Sequence, residues 1–181
     1  MRAVAAALGT GAGSLYRYVS SRSDLLDLMA DRAVGELLAV PAPIESGIEG
    51  MLVLARQQRD LFRRHRWLLD PLTGPIHAGP NALAWFDHCL AVLEPTRAPV
   101  SASFEAIALT TGLASTMVRG EAGRASFSFG SVDPDLHSHL DRALAGAASS
   151  APSAAPARDL FDRAVRGLLR GLLETDADAA R

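Results

Sequence analysis

Apolar residues recur three and four positions apart through almost the whole chain, and that period restricts it to an all-α architecture. The one short strand-like alternation, Ser126-Phe127-Ser128-Phe129, is better read as a loop with two buried rings. Leu25, Leu26, Met29, Ala33, Val34, Leu37 and Leu38 line one face of a helix over 22–39. Ser21 and Asp24 fit a capping box at its start, and Pro41 and Pro43 end it. A second long helix is predicted over 45–64, with Ile48, Met51, Leu52, Ala55 and Phe62 on one side. The short apolar segment Trp67-Leu68-Leu69 follows, then a loop from Pro71 to Pro80. Pro80 suits the first turn of a helix over 80–94, which Pro95 closes. Residues 100–120 read as a helix rich in Ala, Gly and Ser. Leu136, Leu140 and Leu144, four apart, predict a helix over 133–146, residues 147–157 a mobile linker, and 158–174 a last, strongly apolar helix.

Composition narrows the function. Hydrophobic residues make up 49% of the chain and charged residues 21%, which is a globular balance and not a disordered one. No apolar run reaches the roughly 18 residues of a membrane span, so no membrane partner is expected. The start MRAVAAALG has neither the apolar stretch nor the cleavage site of a signal peptide. The single cysteine, Cys89, has no internal disulfide partner and fits a reducing, cytoplasmic setting. Net charge is −2, yet Arg2, Arg17 and Arg22 stand before the first acid, Asp24. A basic N-terminal segment therefore sits on a mildly acidic body, and distribution matters more than the sum for a nucleic-acid binder. All basic residues are arginine, which fits a codon-composition bias.

The most informative stretch is 2–24. Arg2 to Leu8 forms a short helix with Val4, Ala5 and Leu8 apolar, and Gly9 suits a left-handed helix end. Gly13 to Val19 forms a second short helix in which Leu15 and Val19 face inward and Ser14, Tyr16, Arg17 and Tyr18 outward. Two short helices joined by a glycine-containing turn make the helix-turn-helix layout.

The run RAVAAALGTGAGSLYRYVSSRSDLLDL, residues 2–28, resembles the signature of the tetracycline-repressor (TetR) family of transcriptional regulators. There a helix and turn precede a recognition helix of the T-L-Y type, a basic residue, and a long linking helix. The likeness is strong in the first fifth of the chain and weaker across the rest. It implies an N-terminal helix-turn-helix over 1–40 and a helical ligand-binding and dimerisation part over 41–181. It also implies DNA contacts from Arg2, Ala12, Gly13, Ser14, Arg17 and Tyr18, a phosphate bond from Tyr16, and a phosphate anchor at Arg22. The chemistry agrees: arginine holds guanine or phosphate, and hydroxyls suit backbone oxygens. Ala12 and Gly13 carry no polar readout, so discrimination falls to Arg17, Tyr18 and DNA shape. Family members carry a further helix before this motif, so Met1 stands inside the usual pattern and Val4 and Leu8 lack that packing partner. A misassigned start and a true truncation both account for this, and either leaves the reading helix loosely held.

The resemblance further implies a homodimer, a palindromic double-stranded operator with half-sites about 34–36 Å apart, and an unidentified small-molecule effector that releases a repressor from DNA. The dimer interface is expected from Leu109, Leu113, Leu160, Phe161, Ala164, Val165, Leu168 and Leu172. Residues 158–174 are apolar over more than one stripe, and Ala164, Gly167 and Gly171 allow close helix approach. The effector pocket is expected between the helices at 45–64, 80–94 and 100–120, lined by Gln58, Trp67, His77, Trp85, Phe86, His88, Phe104, Thr111 and Met117, since aromatic walls with a few polar groups suit a small molecule. The histidine and glutamate that hold a drug-bound metal in the tetracycline repressor have no counterpart here, so no metal or cofactor is expected.

An enzyme is not expected either. His137 and His139, two apart on a helix, point their rings away from each other, and His65, His77 and His88 show no metal-ligand spacing. Cys89 beside His88 does not make a nucleophile–base pair, and there is no phosphate-binding loop. The alternative reading is a helical small-molecule-binding or interaction protein without DNA activity.

Overall fold

The structure, a computed structural model, describes residues 1–70, 78–122, 132–149 and 157–174. Among them there are helices and turns and no strand. Helix α1 spans Arg2–Ala7, α2 Ala12–Leu15, α3 Arg22–Leu38, α4 Gly47–Arg64, α5 Pro80–Leu93, α6 Val100–Ala122, α7 Ser138–Ser149 and α8 Ala157–Leu173. Short 3-10 turns lie at Arg66–Leu69 and Glu94–Thr96. The Ser126–Phe129 segment and most of the expected linker lie outside the described residues.

Helix α4 is the centre, packing against α3, α5, α6 and α8. One apolar side would serve a surface helix. This one buries Met51, Leu52, Leu54, Ala55, Leu61 and Phe62, which spread round more of its girth than the single side expected. A second, small core holds Ala5, Leu15 and Val19, with Met1 and Leu25 packed on it. Helix α3 joins the two: Leu25 touches the small core, while Ala33 and Leu37 belong to the large one. Its start is capped as expected, Ser21 Oγ accepting the Asp24 N–H at 3.0 Å.

Three boundaries differ from expectation. Helix α2 is one turn long, because after Leu15 the bonds tighten: the Arg17 and Tyr18 N–H groups reach back three residues, to Ser14 and Leu15. Helix α7 starts at Ser138 and not at 133, because the Asp133 carboxylate accepts the Asp135 N–H at 2.9 Å and turns the chain first. It then runs to Ser149, into the segment expected to be a linker. The leucine stripe on this part of the chain has little cover: Leu136 is 75% and Leu144 37% exposed.

Charged pairs tie the periphery to α4. Arg56 donates to Asp162 of α8 from Nε at 3.0 Å and Nη2 at 2.5 Å, Arg166 of α8 donates to Glu49, and Arg63 donates to Glu121 of α6. Arg56 holds the Asp162 carboxyl below its usual range, and Arg166 and Arg63 do the same for Glu49 and Glu121. Arg59, only 2% exposed, lies over the Phe161 ring at 4.2 Å, and burial pulls its guanidinium down from the ordinary value.

A carboxylate with a depressed folded pKa adds stability above its unfolded pKa, and that stability is lost as pH falls through the folded value. The unfolded values are 3.8 for Asp162 and 4.5 for Glu49 and Glu121. Urea midpoints are therefore expected to fall steadily below about pH 5. Asp162→Asn is expected to lower the midpoint at pH 7 and to flatten the acid limb. An acid limb as steep as wild type would rule out the Arg56–Asp162 pair as a contributor.

Candidate functional site

The first site is the outer surface of the small N-terminal core. Leu15 and Val19 are buried beneath it, at 8% and 6% exposure. Above them Tyr18 is 84% and Tyr16 50% exposed, and Arg17 and Gly13 are also exposed. Ser14 is half-buried and accepts a bond from Arg17 Nη2 at 3.3 Å. Arg2 is exposed at the start of α1 and Arg22 at the start of α3, while Ala12 begins α2. Gly9 takes φ +65 in the turn between α1 and α2, a left-handed conformation that side chains with a Cβ rarely adopt. Arginines and tyrosine hydroxyls on such a surface can meet phosphate oxygens and base edges. The first acid in the chain, Asp24, has its charge engaged by the hydroxyls of Ser20 and Ser21, which hold its carboxyl below the usual range. Val4 and Leu8, on the other side of α1, are 37% and 65% exposed.

The second site is a cavity of about 160 Å³. It lies inside the main core between α3, α4, α5 and α6. Of the residues expected to line it, Gln58, Trp85, Phe86 and Thr111 do so. Thr111 Oγ1 donates to Gln58 Oε1 at 3.2 Å. His88 is not in the lining and sits behind Trp85, with ring centroids 6.0 Å apart. Trp67 lies in a separate shallow groove with Glu36 and His65. Phe104, two turns before Thr111, is 49% exposed and outside the lining, and Met117 packs on the core beyond the cavity. His77 lies outside the described residues.

The sequence reading missed the wall made by α3. Asp27, Ala30, Asp31 and Val34 line the cavity, so the helix leading from the N-terminal core is itself part of the pocket. The signal was present as two acids four apart, inside an otherwise apolar face. Asp31 does more than line. Its carboxylate accepts Asn81 Nδ2 at 2.8 Å, the Ala82 N–H at 2.9 Å and the Asn81 N–H at 3.4 Å. It thereby caps the start of α5, where backbone donors otherwise lack partners. Gly79 permits this approach, since a Cβ there would stand 2.4 Å from Asp31 Cγ. Glu36, one turn further on, accepts His65 Nε2 at 2.7 Å and Arg64 at 3.1 Å, so α3 is also held against the end of α4.

The outer faces of α6 and α8 form an apolar surface. Leu109 and Leu160 are 50% and 53% exposed, and Leu113, Ala164, Leu168 and Leu172 are half-buried. Phe161 and Val165 were expected on the same interface, but both are fully buried inside the chain. Helical spacing explains it: 161, 165, 169 and 173 form the inward stripe of α8, so these side chains keep no surface to lose to a partner.

Residues 40–172 match the model of the family described as tetracyclin repressor-like, C-terminal domain. The chain belongs to this family. Curated relatives include the HTH-type transcriptional repressor DrrR1 of Streptomyces coeruleorubidus, 41% identical over 97 residues, which are 52% of this chain and 36% of that protein. An HTH-type transcriptional regulator of Saccharopolyspora erythraea is 35% identical over 96 residues, covering 51% of this chain and 39% of its own length. The aligned parts thus span well under half of both relatives. The tetracyclin repressor-like architecture recurs in solved structures. ActR of Streptomyces coelicolor in its apo form superposes with a TM-score of 0.75 at 23% identity over 96% of this chain and 86% of ActR. ActR in complex with actinorhodin gives 0.77 at 22% identity, over 98% and 88%. The all-helical TetR-like fold is therefore the fold of this chain.

Among the described residues no cluster of three or more His, Cys, Asp or Glu side chains is arranged to hold a metal ion. Burial pushes the Cys89 thiol up to about 12, so it stays protonated at neutral pH and is a poor nucleophile. Among the described residues no helix is long and apolar enough to cross a membrane.

Removing the Asp31 carboxylate leaves the start of α5 uncapped. Asp31→Ala is expected to cost about 1.5–3 kcal/mol in urea unfolding, the range for bonds to a charged acceptor. Asp31→Asn, which keeps an acceptor oxygen, is expected to cost less. Equal losses for the two variants would mean that the bonds are not the source of the stability.

Proposed function

We propose that the chain is a ligand-responsive transcriptional repressor that acts in the cytoplasm as a homodimer on a palindromic double-stranded operator, and leaves the operator when a small-molecule effector fills the internal cavity. One observation carries the reading. A surface bearing Arg17, Tyr16 and Tyr18 is joined by α3 to a tetracyclin repressor-like body, and α3 is at the same time a wall of that body's cavity. The names of the curated relatives and the small molecule bound to ActR support it. In this reading residues 1–40 form the DNA-binding part and 41–181 the effector-binding and dimerising part.

Arg17 and Tyr18 supply the base contacts, with Ser14 and the backbone around Ala12 and Gly13 close to the groove. Arg2, Tyr16 and Arg22 bind phosphates. The apolar faces of α6 and α8 pair across a two-fold axis, Leu109, Leu113, Leu160, Ala164, Leu168 and Leu172 meeting their copies. Effector binding favours one of two dimer arrangements that differ in the separation of the two reading surfaces, and α3 carries the difference because it is pinned at Asp31 beside the cavity and ends in the N-terminal core.

Selection of duplex DNA on the purified protein tests the reading. A palindrome with half-sites one helical turn apart is expected to be enriched, with affinity that falls as salt rises. Arg17→Ala is expected to weaken the selected site by about 1–3 kcal/mol and to relax its preference at one base pair per half-site. Failure to enrich any sequence, at low salt as well, would leave the alternative of a ligand-binding protein without DNA activity.

Dimerisation is tested apart from DNA. Leu160→Glu, on the outer face of α8, is expected to give a folded monomer in sedimentation equilibrium. A wild-type chain that is itself monomeric at micromolar concentration, or a variant that stays dimeric, would remove this interface.

A further inference from the structure

The cavity in the main core has two kinds of wall. Leu37, Leu61, Phe62, Leu68, Trp85 and Ile107 line it and are all buried. Asp27, Asp31 and Gly79 line it and are partly exposed, and these three also border a shallow groove on the outside of α3. The cavity is therefore closed by apolar side chains at its inner end and opens between α3 and the start of α5.

Its polar groups are already engaged within the chain. Thr111 Oγ1 donates to Gln58 Oε1 at 3.2 Å. The Asp31 carboxylate accepts three N–H donors at the start of α5. Asp27 is likewise engaged within the protein. Wall groups that are met by their own chain return little to a charged ligand for the water it sheds, and burying a charge without a partner is costly. A cation would have to draw the Asp31 carboxylate away from the N–H groups that it caps, and an anion would face two carboxylates. An apolar group gains wherever it displaces water from an apolar wall. The Thr111 hydroxyl keeps lone pairs after donating to Gln58, so the pair can still take a hydroxyl from a ligand.

Volume sets the size. The cavity holds about 160 Å³. An apolar protein cavity of about 150 Å³ stays dry and takes a benzene ring. One ring with a short tail fits, and three fused rings exceed the space.

We infer that the effector of this cavity is a neutral, apolar molecule built on a single ring, carrying at most a hydroxyl, and that ions of the same shape are excluded. The inference rests on the reading of the cavity as an effector site and names the chemistry of what enters. The ring lies among Leu61, Phe62 and Trp85, and the hydroxyl reaches the Gln58–Thr111 pair.

Three probes share a phenyl ring and a short tail and differ in charge: 2-phenylethanol, 2-phenylethylammonium and phenylacetate. A fourth, 9-anthracenemethanol, is neutral and has three fused rings. Each is titrated into the full chain at pH 7 and followed by saturation-transfer NMR, with no DNA present. The phenyl alcohol is expected to bind at least about tenfold more tightly than either ion, a difference of about 1.4 kcal/mol, and more tightly than 9-anthracenemethanol. Its affinity is expected to be unchanged by salt, since no charge is paired. Its ring protons are expected to show Overhauser contacts to the Trp85 indole, a readout that needs no substitution. Ala30→Phe and Ala82→Leu, which fill the cavity from α3 and α5, are each expected to weaken it at least tenfold with helicity retained. An ion that binds as tightly as the phenyl alcohol, or 9-anthracenemethanol binding more tightly, overturns the inference and leaves the cavity standing as an effector site. Phenyl alcohol binding without contacts to Trp85, or unchanged in both filled variants, puts the probe elsewhere and also overturns it. No binding of any of the four removes the effector reading of the cavity itself, and this inference with it.

Discussion

The packing of α3 against the main core is the constraint on which the rest depends. The N-terminal core contains three buried side chains, Ala5, Leu15 and Val19, too few to hold three helices by apolar burial alone. Its order is borrowed from the body through one helix. That helix is fixed at Ala33 and Leu37 by burial, at Asp31 by the start of α5, and at Glu36 by Arg64 and His65.

The cavity and this anchorage are the same place. Asp31 lines the cavity and also caps α5, and Gly79 leaves the space in which the two helices approach. The cavity thus borders the joint between α3 and α5. The ion pairs on the far side of α4 act differently. Arg56 with Asp162, Arg166 with Glu49 and Arg63 with Glu121 hold α8 and α6 at a set rotation about α4. That rotation decides which stripe of α8 is spent inside the chain and which stays nearer the surface.

Much of this was legible in the sequence because it rests on local rules. The helical period, the Ser21 cap, the Gly9 turn and the inward pair Leu15 and Val19 depend on residues within one or two turns of each other, and all were read correctly. Four cavity residues, Gln58, Trp85, Phe86 and Thr111, were legible because polar and aromatic side chains interrupting apolar faces stand out. Trp67, His88, Phe104 and Met117 have the same chemistry and lie elsewhere, since residue type does not say how far along or around its helix a side chain meets the next one.

What the sequence determined by itself is the set of helices, the exposure of Tyr16, Arg17 and Tyr18 above the inward pair Leu15 and Val19, and the apolar character of two stripes of α8; each follows from period and from side-chain chemistry. Only the tertiary structure decided that Phe161 and Val165 belong inside while Leu160 stays half-exposed, because two neighbouring stripes of α8, 160/164/168/172 and 161/165/169/173, are both apolar and only its rotation against α4 and α6 chooses between them. Only the tertiary structure brought Asp27 and Asp31 into the cavity wall, because an acid on a helix reads as solvated until a distant segment, here the start of α5, closes over it.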